Sequence, residues 1–135
     1  MMVQNKIVVR YMDGQLLKGV TNDFFPDKEI FHLLPVETPE EGIPIMLSDS
    51  NLKAIFFVKG YEGNPDYKDK KDFDSKKPLV GRKIRVVFKD GEVMVGTTYG
   101  YRPGRAGFFV VPADADSNIQ RCYVLTAATQ EVSFI

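Results

Sequence analysis

Apolar and polar residues alternate in two places along the chain. Ile7, Val9 and Tyr11 stand in one phase against Val8, Arg10 and Met12, and Ile84, Val86 and Phe88 stand against Arg85, Val87 and Lys89. A period of two predicts two β-strands, with the first-named set of each turned inward. Asp13-Gly14 and Asp90-Gly91 follow directly, between apolar runs, and predict hairpins, because Gly takes the positive φ of a tight turn and Asp tolerates it. Gly19 and Gly96 then fall inside the second strand of each hairpin, where a missing side chain permits a bend and a curled sheet. Further strands are predicted over 29–36, 43–48 and 52–58, and again over 107–113, 121–126 and 131–135. No long 3.6-residue period competes with them, so the chain reads as all-β. One short helix is predicted, over 64–73, where Asn64 can cap and Pro65 suits the first turn.

The two patterns are one pattern written twice. Residues 6–58 lie over 83–135 at a constant offset of 77 without a gap, and identical residues recur along the overlay: Lys6/Lys83, Ile7/Ile84, Val9/Val86, Asp13/Asp90, Gly14/Gly91, Gly19/Gly96, Phe31/Phe108 and Phe57/Phe134 among them. The matches are mainly apolar positions and turn residues, which points to an internal duplication. The expected organisation is a first small β-barrel repeat at 1–58, a charged linker at 59–80 and a second small barrel at 81–135, two tandem five-stranded barrels in all. A barrel of that size buries little surface, so the two repeats are expected to share an interface, or the protein to dimerise. Paired aromatics such as Phe24/Phe25, Phe56/Phe57 and Phe108/Phe109 are suited to that seam.

The strand order resembles the Sm-like small barrel, of the broader SH3-like kind. The segment VRYMDGQLLKGVTNDF resembles that family's first motif, and LSDSNLKAI its second, with Asn51 at the expected Asn and Leu52 and Ile55 at core positions. The resemblance covers residues 6–58 and, more loosely, 83–135. RNA-binding members offer an Asp and an Asn after strand two and an Arg-Gly pair before strand five. Here the first loop reads FFPDKEIF without that Asn, Ser48 and Asp49 replace Arg and Gly, and the second copy has TAAT. The whole chain also resembles an uncharacterised bacterial domain family that keeps the Asp-Gly hairpins and a Gly-Phe-Phe strand.

Composition narrows the function classes. In 135 residues, 18 Lys and Arg balance 18 Asp and Glu, so no global field recruits nucleic acid or an acidic membrane. The balance is uneven along the chain: 1–58 holds 5 basic against 8 acidic residues, 81–135 holds 7 against 5. The halves therefore carry opposite sign. Cys122 is the lone cysteine and His32 the lone histidine, which excludes an internal disulfide and a zinc site of the usual ligands, and fits a reducing compartment. A charge interrupts every apolar run well before membrane-spanning length, so a cytoplasmic protein is expected.

Chemistry-bearing patterns are few. GYRPGRAGFF, residues 100–109, sets Tyr101, Arg102 and Arg105 among glycines, and Arg85 and Arg121 belong to the same basic half. Exposed Arg, a ring and open amides are what phosphate or single-stranded nucleic acid requires, so these five are the candidate ligand- or nucleic-acid-binding residues. A long hairpin turn is the plainer reading of that segment. Asp114, Asp116 and Asn118 alternate as a calcium loop opens, but Ile119 and Leu125 stand where its Gly and Glu belong, and an Asx-rich turn accounts for them. Glu40 and Glu41 read as solvated loop carboxylates, and His32 as a strand residue. Nucleophile elbows and phosphate-cradling Gly motifs are absent. The expectation is a non-enzymatic binding or protein-interaction module without cofactor or metal, docking a protein partner or a copy of itself. Binding of RNA or single-stranded nucleic acid through the basic turn is the alternative.

Overall fold

The first alternating run becomes β1 (Asn5–Tyr11), which turns back through Met12-Asp13-Gly14 into β2 (Leu16–Thr21). Tyr11 N–H donates to the Gln15 carbonyl (2.9 Å), Asp13 Oδ1 accepts from Gln15 N–H (3.0 Å), and Gly14 sits at φ 92°. That is a three-residue loop closed by a left-handed glycine. The chain continues as β3 (Ile30–Pro35), β4 (Ile45–Ser48), a single 3-10 turn over Asp49–Asn51, and β5 (Leu52–Val58). β6 (Arg82–Phe88), β7 (Val93–Thr98), β8 (Gly107–Pro112), β9 (Ile119–Leu125), a 3-10 turn over Thr126–Ala128 and β10 (Thr129–Phe134) complete it. This computed structural model describes residues 5–36, 42–61, 81–114 and 117–135. Among them there is no α-helix, and the helix expected over 64–73 lies outside the described residues.

The bounds of β1, β2 and β3 and the registers repeat at the same offset of 77 as the residues, while β9 begins three residues before the counterpart of β4. Ile7 faces Gly19 as Ile84 faces Gly96, and Gly19 faces Pro35 as Gly96 faces Pro112. The β1–β5 ladder shifts at Arg10/Tyr11, and the β6–β10 ladder shifts at the corresponding place. Gly19 and Gly96 are needed for close approach. A Cβ at Gly19 would lie 2.7 Å from Leu33 Cδ2, and one at Gly96 2.8 Å from Val110 Cγ1, with the Leu34 and Val111 carbonyl oxygens nearer still. The second strand thus lies against the third with no room for a side chain.

The all-β expectation holds among the described residues, at the level of a single sheet. Among the described residues, ten strands join one antiparallel sheet that is not closed, in the order β10-β6-β7-β8-β9-β5-β1-β2-β3-β4. The physical cause is β5. One of its edges pairs with β1 and the other with β9, so the edge that could close its own half is occupied by the other half. Hydrogen-bond saturation of a strand allows two neighbours and no third.

Burial follows the same division. Ile7, Val9, Phe31, Leu33, Leu47, Ile55 and Phe57 form one core, and Ile84, Val86, Phe88, Phe108, Val110 and Cys122 form the other. The inward sets read from the alternation are these cores, with Tyr11 only half-buried. Strand β5 serves both: Ile55 and Phe57 enter its own half's core, while Ala54, Phe56 and Val58 enter the second. Strand β9 reciprocates with Tyr123 and Leu125 in the first core and Cys122 and Val124 in the second. Every residue of β5 is buried. Cys122 is fully buried, and that burial pushes its thiol well up. The native chain is therefore expected to resist a thiol-specific disulfide reagent until it is unfolded, whereas prompt native labelling would show that the seam opens readily.

Candidate functional site

Two features of the sheet bear on function, the β5–β9 seam and the exposed apolar side chains at the two outer strands. At the seam, Ala54, Ile55, Phe56 and Phe57 stand opposite Val124, Tyr123, Cys122 and Arg121. Lys53 crosses it. Its Nζ lies 2.7 Å from Asp90 Oδ2 and 3.0 Å from Glu92 Oε1 in the β6–β7 turn, and 4.6 Å from the Phe88 ring centre, with only 6% of the residue exposed. The Lys53 hydrogen bond, then the Glu92 N–H, hold the Asp90 carboxyl below its ordinary range. Asn118 adds a second tie, accepting from Gly60 N–H (3.1 Å) and donating to the Gly60 carbonyl (2.8 Å).

Lys53→Met removes the cation but leaves two half-exposed carboxylates able to hydrate. The expected loss is about 1–2 kcal/mol, below that of a fully buried broken pair. A depressed carboxyl stabilises the fold above the ordinary carboxylate range and ceases to do so as pH falls through its lowered value. Urea melts of wild type and Lys53→Met should therefore differ at neutral pH and converge in acid. A gap that persists in acid would assign the effect to lost packing alone.

The five candidate residues are distributed, not assembled into one pocket. Tyr101 is half-buried, with its ring edge-on to Phe108 (4.8 Å) and Phe134 (5.7 Å). Arg121 is exposed but lies over Phe57 (4.3 Å) and Phe109 (4.9 Å), capping the first core. Arg85 is half-buried on β6, opposite Val95 and Ser133. Arg102 and Arg105 are exposed, and Arg105 shares a shallow cavity of about 350 Å³ with Asp49 and Ser50. Tyr101 and Arg121 therefore pack against different cores.

Sequence reasoning missed an Asp partner for His32. Asp23 Oδ2 lies 2.7 Å from His32 Nδ1, and Asp23 Oδ1 accepts from His32 N–H (2.9 Å) and Thr21 Oγ1 (3.1 Å). Burial pushes the Asp23 carboxyl up, but these His32 and Thr21 hydrogen bonds outweigh it and hold the group low. The two residues meet only because β2 and β3 pair, a contact no local spacing announces. They line a cavity of about 330 Å³ with Thr21, Asn22 and Pro44, beside β4. A further cavity of about 230 Å³ runs along the seam between Val8, Arg10 and Phe56 on one side and Glu92, Met94 and Ile119 on the other. Among the described residues no group of three or more His, Cys, Asp or Glu could hold a metal ion, and no helix is long and apolar enough to cross a membrane. Asp116, Glu40 and Glu41 lie outside the described residues.

Exposed apolar side chains stand at the outer strands, and also at Met12, Leu16, Phe25, Tyr99 and Val111. Strand β4 and its approach carry Ile43, Ile45 and Met46, with Ile30 beside them on β3, and β10 carries Phe134 with Ile135 after it. Among the described residues, neither β4 nor β10 has a strand on its second edge. Fold and site define an all-β protein whose described residues form one antiparallel sheet with partly apolar outer strands and an internal seam. The chain belongs to a family of unknown function, DUF6982, whose model matches residues 3–135. No curated protein and no solved structure matches it.

Proposed function

We propose that the chain is a non-enzymatic protein-interaction module, built from two copies of one five-strand small-barrel unit, that docks its partner by strand addition at an open sheet edge. The observation that carries this reading is the exposure of Ile43, Met46 and Phe134 on or beside strands that have, among the described residues, an unpaired edge. An open edge presents a row of N–H and C=O groups that an incoming strand satisfies, and flanking apolar side chains supply selectivity. The match of strand bounds and registers at a single offset supports two copies of one unit. The basic-turn reading has less support. The Tyr101 ring is engaged by Phe108 and Phe134, the Arg121 guanidinium by Phe57 and Phe109, and Asp49 stands in the groove beside Arg105.

The test is selection of displayed extended peptides on the folded chain, followed by chemical-shift mapping of a binder. Shifts confined to β4 or β10 are expected. A binder mapping to Arg102 and Arg105, or salt-sensitive retention of single-stranded RNA lost in the Arg102→Ala, Arg105→Ala double variant, would replace this reading with the nucleic-acid one.

A further inference from the structure

The ends of the sheet are a matched pair. Displacement by 77 residues carries β5 onto β10 and carries β4 onto the last four residues of β9. β5 and β9 pair with each other at the seam, whereas β10 and β4 each keep an edge with no strand among the described residues. We propose that β10 of one chain pairs with β4 of a second copy, head to tail, repeating between molecules the β5–β9 seam found within each. This rests on the strand-addition reading above and names its partner.

The aromatic packing of the seam is already half built at the free end. In the first half, Phe24 stands edge-on to Phe31 (5.3 Å, 86°) and tilted to Phe57 (5.7 Å, 60°). That platform receives Tyr123 (5.2 Å from Phe24) and Phe109 (6.2 Å from Phe57) from across the seam. In the second half, Tyr101, Phe108 and Phe134 occupy the corresponding positions with the same geometry, Tyr101 lying 4.8 Å and 81° from Phe108 and 5.7 Å and 73° from Phe134. The residues that would enter this second platform are the counterparts of Tyr123 and Phe109, namely Met46 and His32. Both are exposed, Met46 at 66%. Receptor and insert are present on one chain, at opposite ends of the sheet. The acidic balance of 1–58 against the basic balance of 81–135 favours this head-to-tail approach over a like-to-like one.

The intermolecular seam is weaker than the internal one, and residue by residue the cause is visible. Gln130 replaces Lys53, and Asp13 and Gln15 replace Asp90 and Glu92, so the clasp loses its cation and one of its two carboxylates and becomes hydrogen bonding without an ion pair. Glu131 stands at the position of Ala54 and Ser133 at that of Phe56, setting a carboxylate and a hydroxyl where the internal seam buries apolar groups. Such substitutions blunt an edge without abolishing it. The association is therefore reversible and concentration-dependent, and because the two surfaces differ, the contact can be repeated from chain to chain.

Sedimentation velocity of the full chain across the micromolar range tests it. Mean mass is expected to rise with concentration. Met46→Glu, which places a charge in the apolar contact, should weaken association by about tenfold or more. Glu131→Ala, which restores the residue type of the internal seam at an exposed position, should strengthen it. Phe134→Glu blocks the other end, so it and Met46→Glu should each be monomeric alone yet form a heterodimer, and nothing larger, when mixed. Met46 and Glu131 are exposed, so those two variants read the contact even where Phe134→Glu unfolds. A rising mass that Met46→Glu leaves unchanged, or a mixture that stays monomeric with both variants folded, overturns the proposal.

Amide exchange separates this failure from failure of the broader reading. Ile135 N–H donates inward to the Lys83 carbonyl (3.2 Å), so the amides of Val132 and Phe134, one residue out of phase, face the open edge. A monomer in which they exchange freely overturns self-pairing and leaves strand addition standing. A monomer in which they are protected overturns self-pairing and also strand addition at β10, leaving only the β4 edge for that reading.

Discussion

Phe57→Ala is expected to destabilise the chain by about 3–5 kcal/mol while leaving a single unfolding transition. Phe57 is 3% exposed, packs against Phe24 and Phe109, and carries the Arg121 guanidinium over its ring. Truncation opens a ring-sized cavity where the two halves interdigitate, and the loss is felt on both sides. Neighbouring Phe56 faces the second core from the same strand, so β5 cannot leave one core without leaving the other. Denaturant unfolding followed by two probes, tyrosine fluorescence and far-ultraviolet circular dichroism, checks this. Coincident curves shifted together are expected. Two resolved transitions with only one displaced would mean that the halves fold independently and that the seam is a weak docking contact.

Gly96→Ala should cost about 1–3 kcal/mol through overpacking, although alanine is normally the better tolerated residue in a strand. The added Cβ has no flexible neighbour to displace, because it meets the backbone carbonyl of Val111 as well as Val110 Cγ1. Relief requires β7 and β8 to separate, which weakens the ladder that carries Gly96 opposite Pro112. Gly19→Ala should behave alike against Leu33 and Leu34. Gly60→Ala is the control, since nothing lies within 4 Å of its added Cβ and its φ is not positive, and it should be near neutral. Thermal melts of the three variants decide the matter. Equal effects at Gly60 and Gly96 would show that chain entropy, not close approach, governs these positions.

Much of the fold was legible in the residues because strands are specified locally. The alternation at Ile7, Val9 and at Ile84, Val86, Phe88 picks out inward faces, since a period of two leaves no other set to bury. Asp13-Gly14 and Asp90-Gly91 mark turns because few residue pairs accept their geometry. That Gly19 and Gly96 need a missing side chain was also readable, although the close approach it permits and the partner approached were not. The candidate basic residues fared differently. Tyr101 and Arg121 look alike in sequence, as exposed binding groups in a basic half, yet each is engaged by aromatic rings contributed by other strands. A side chain's availability depends on what crosses over it, and sequence spacing does not report that.

By itself, the sequence determined the strands, the hairpin turns, the inward faces and the correspondence of residues 77 apart, because each of these depends on neighbours a few positions away or on comparison of the chain with itself. Only the tertiary structure decided that β5 pairs with β9, that Lys53 reaches the β6–β7 turn, that Asp23 meets His32, and that β4 and β10 are left as the ends of one open sheet. The reason is that a strand has two equivalent edges and its sequence does not label them. Which neighbour takes the second edge is settled by the competition among all strands for backbone hydrogen bonds and for the buried faces of Ala54, Phe56, Tyr123 and Leu125, and that competition exists only in three dimensions.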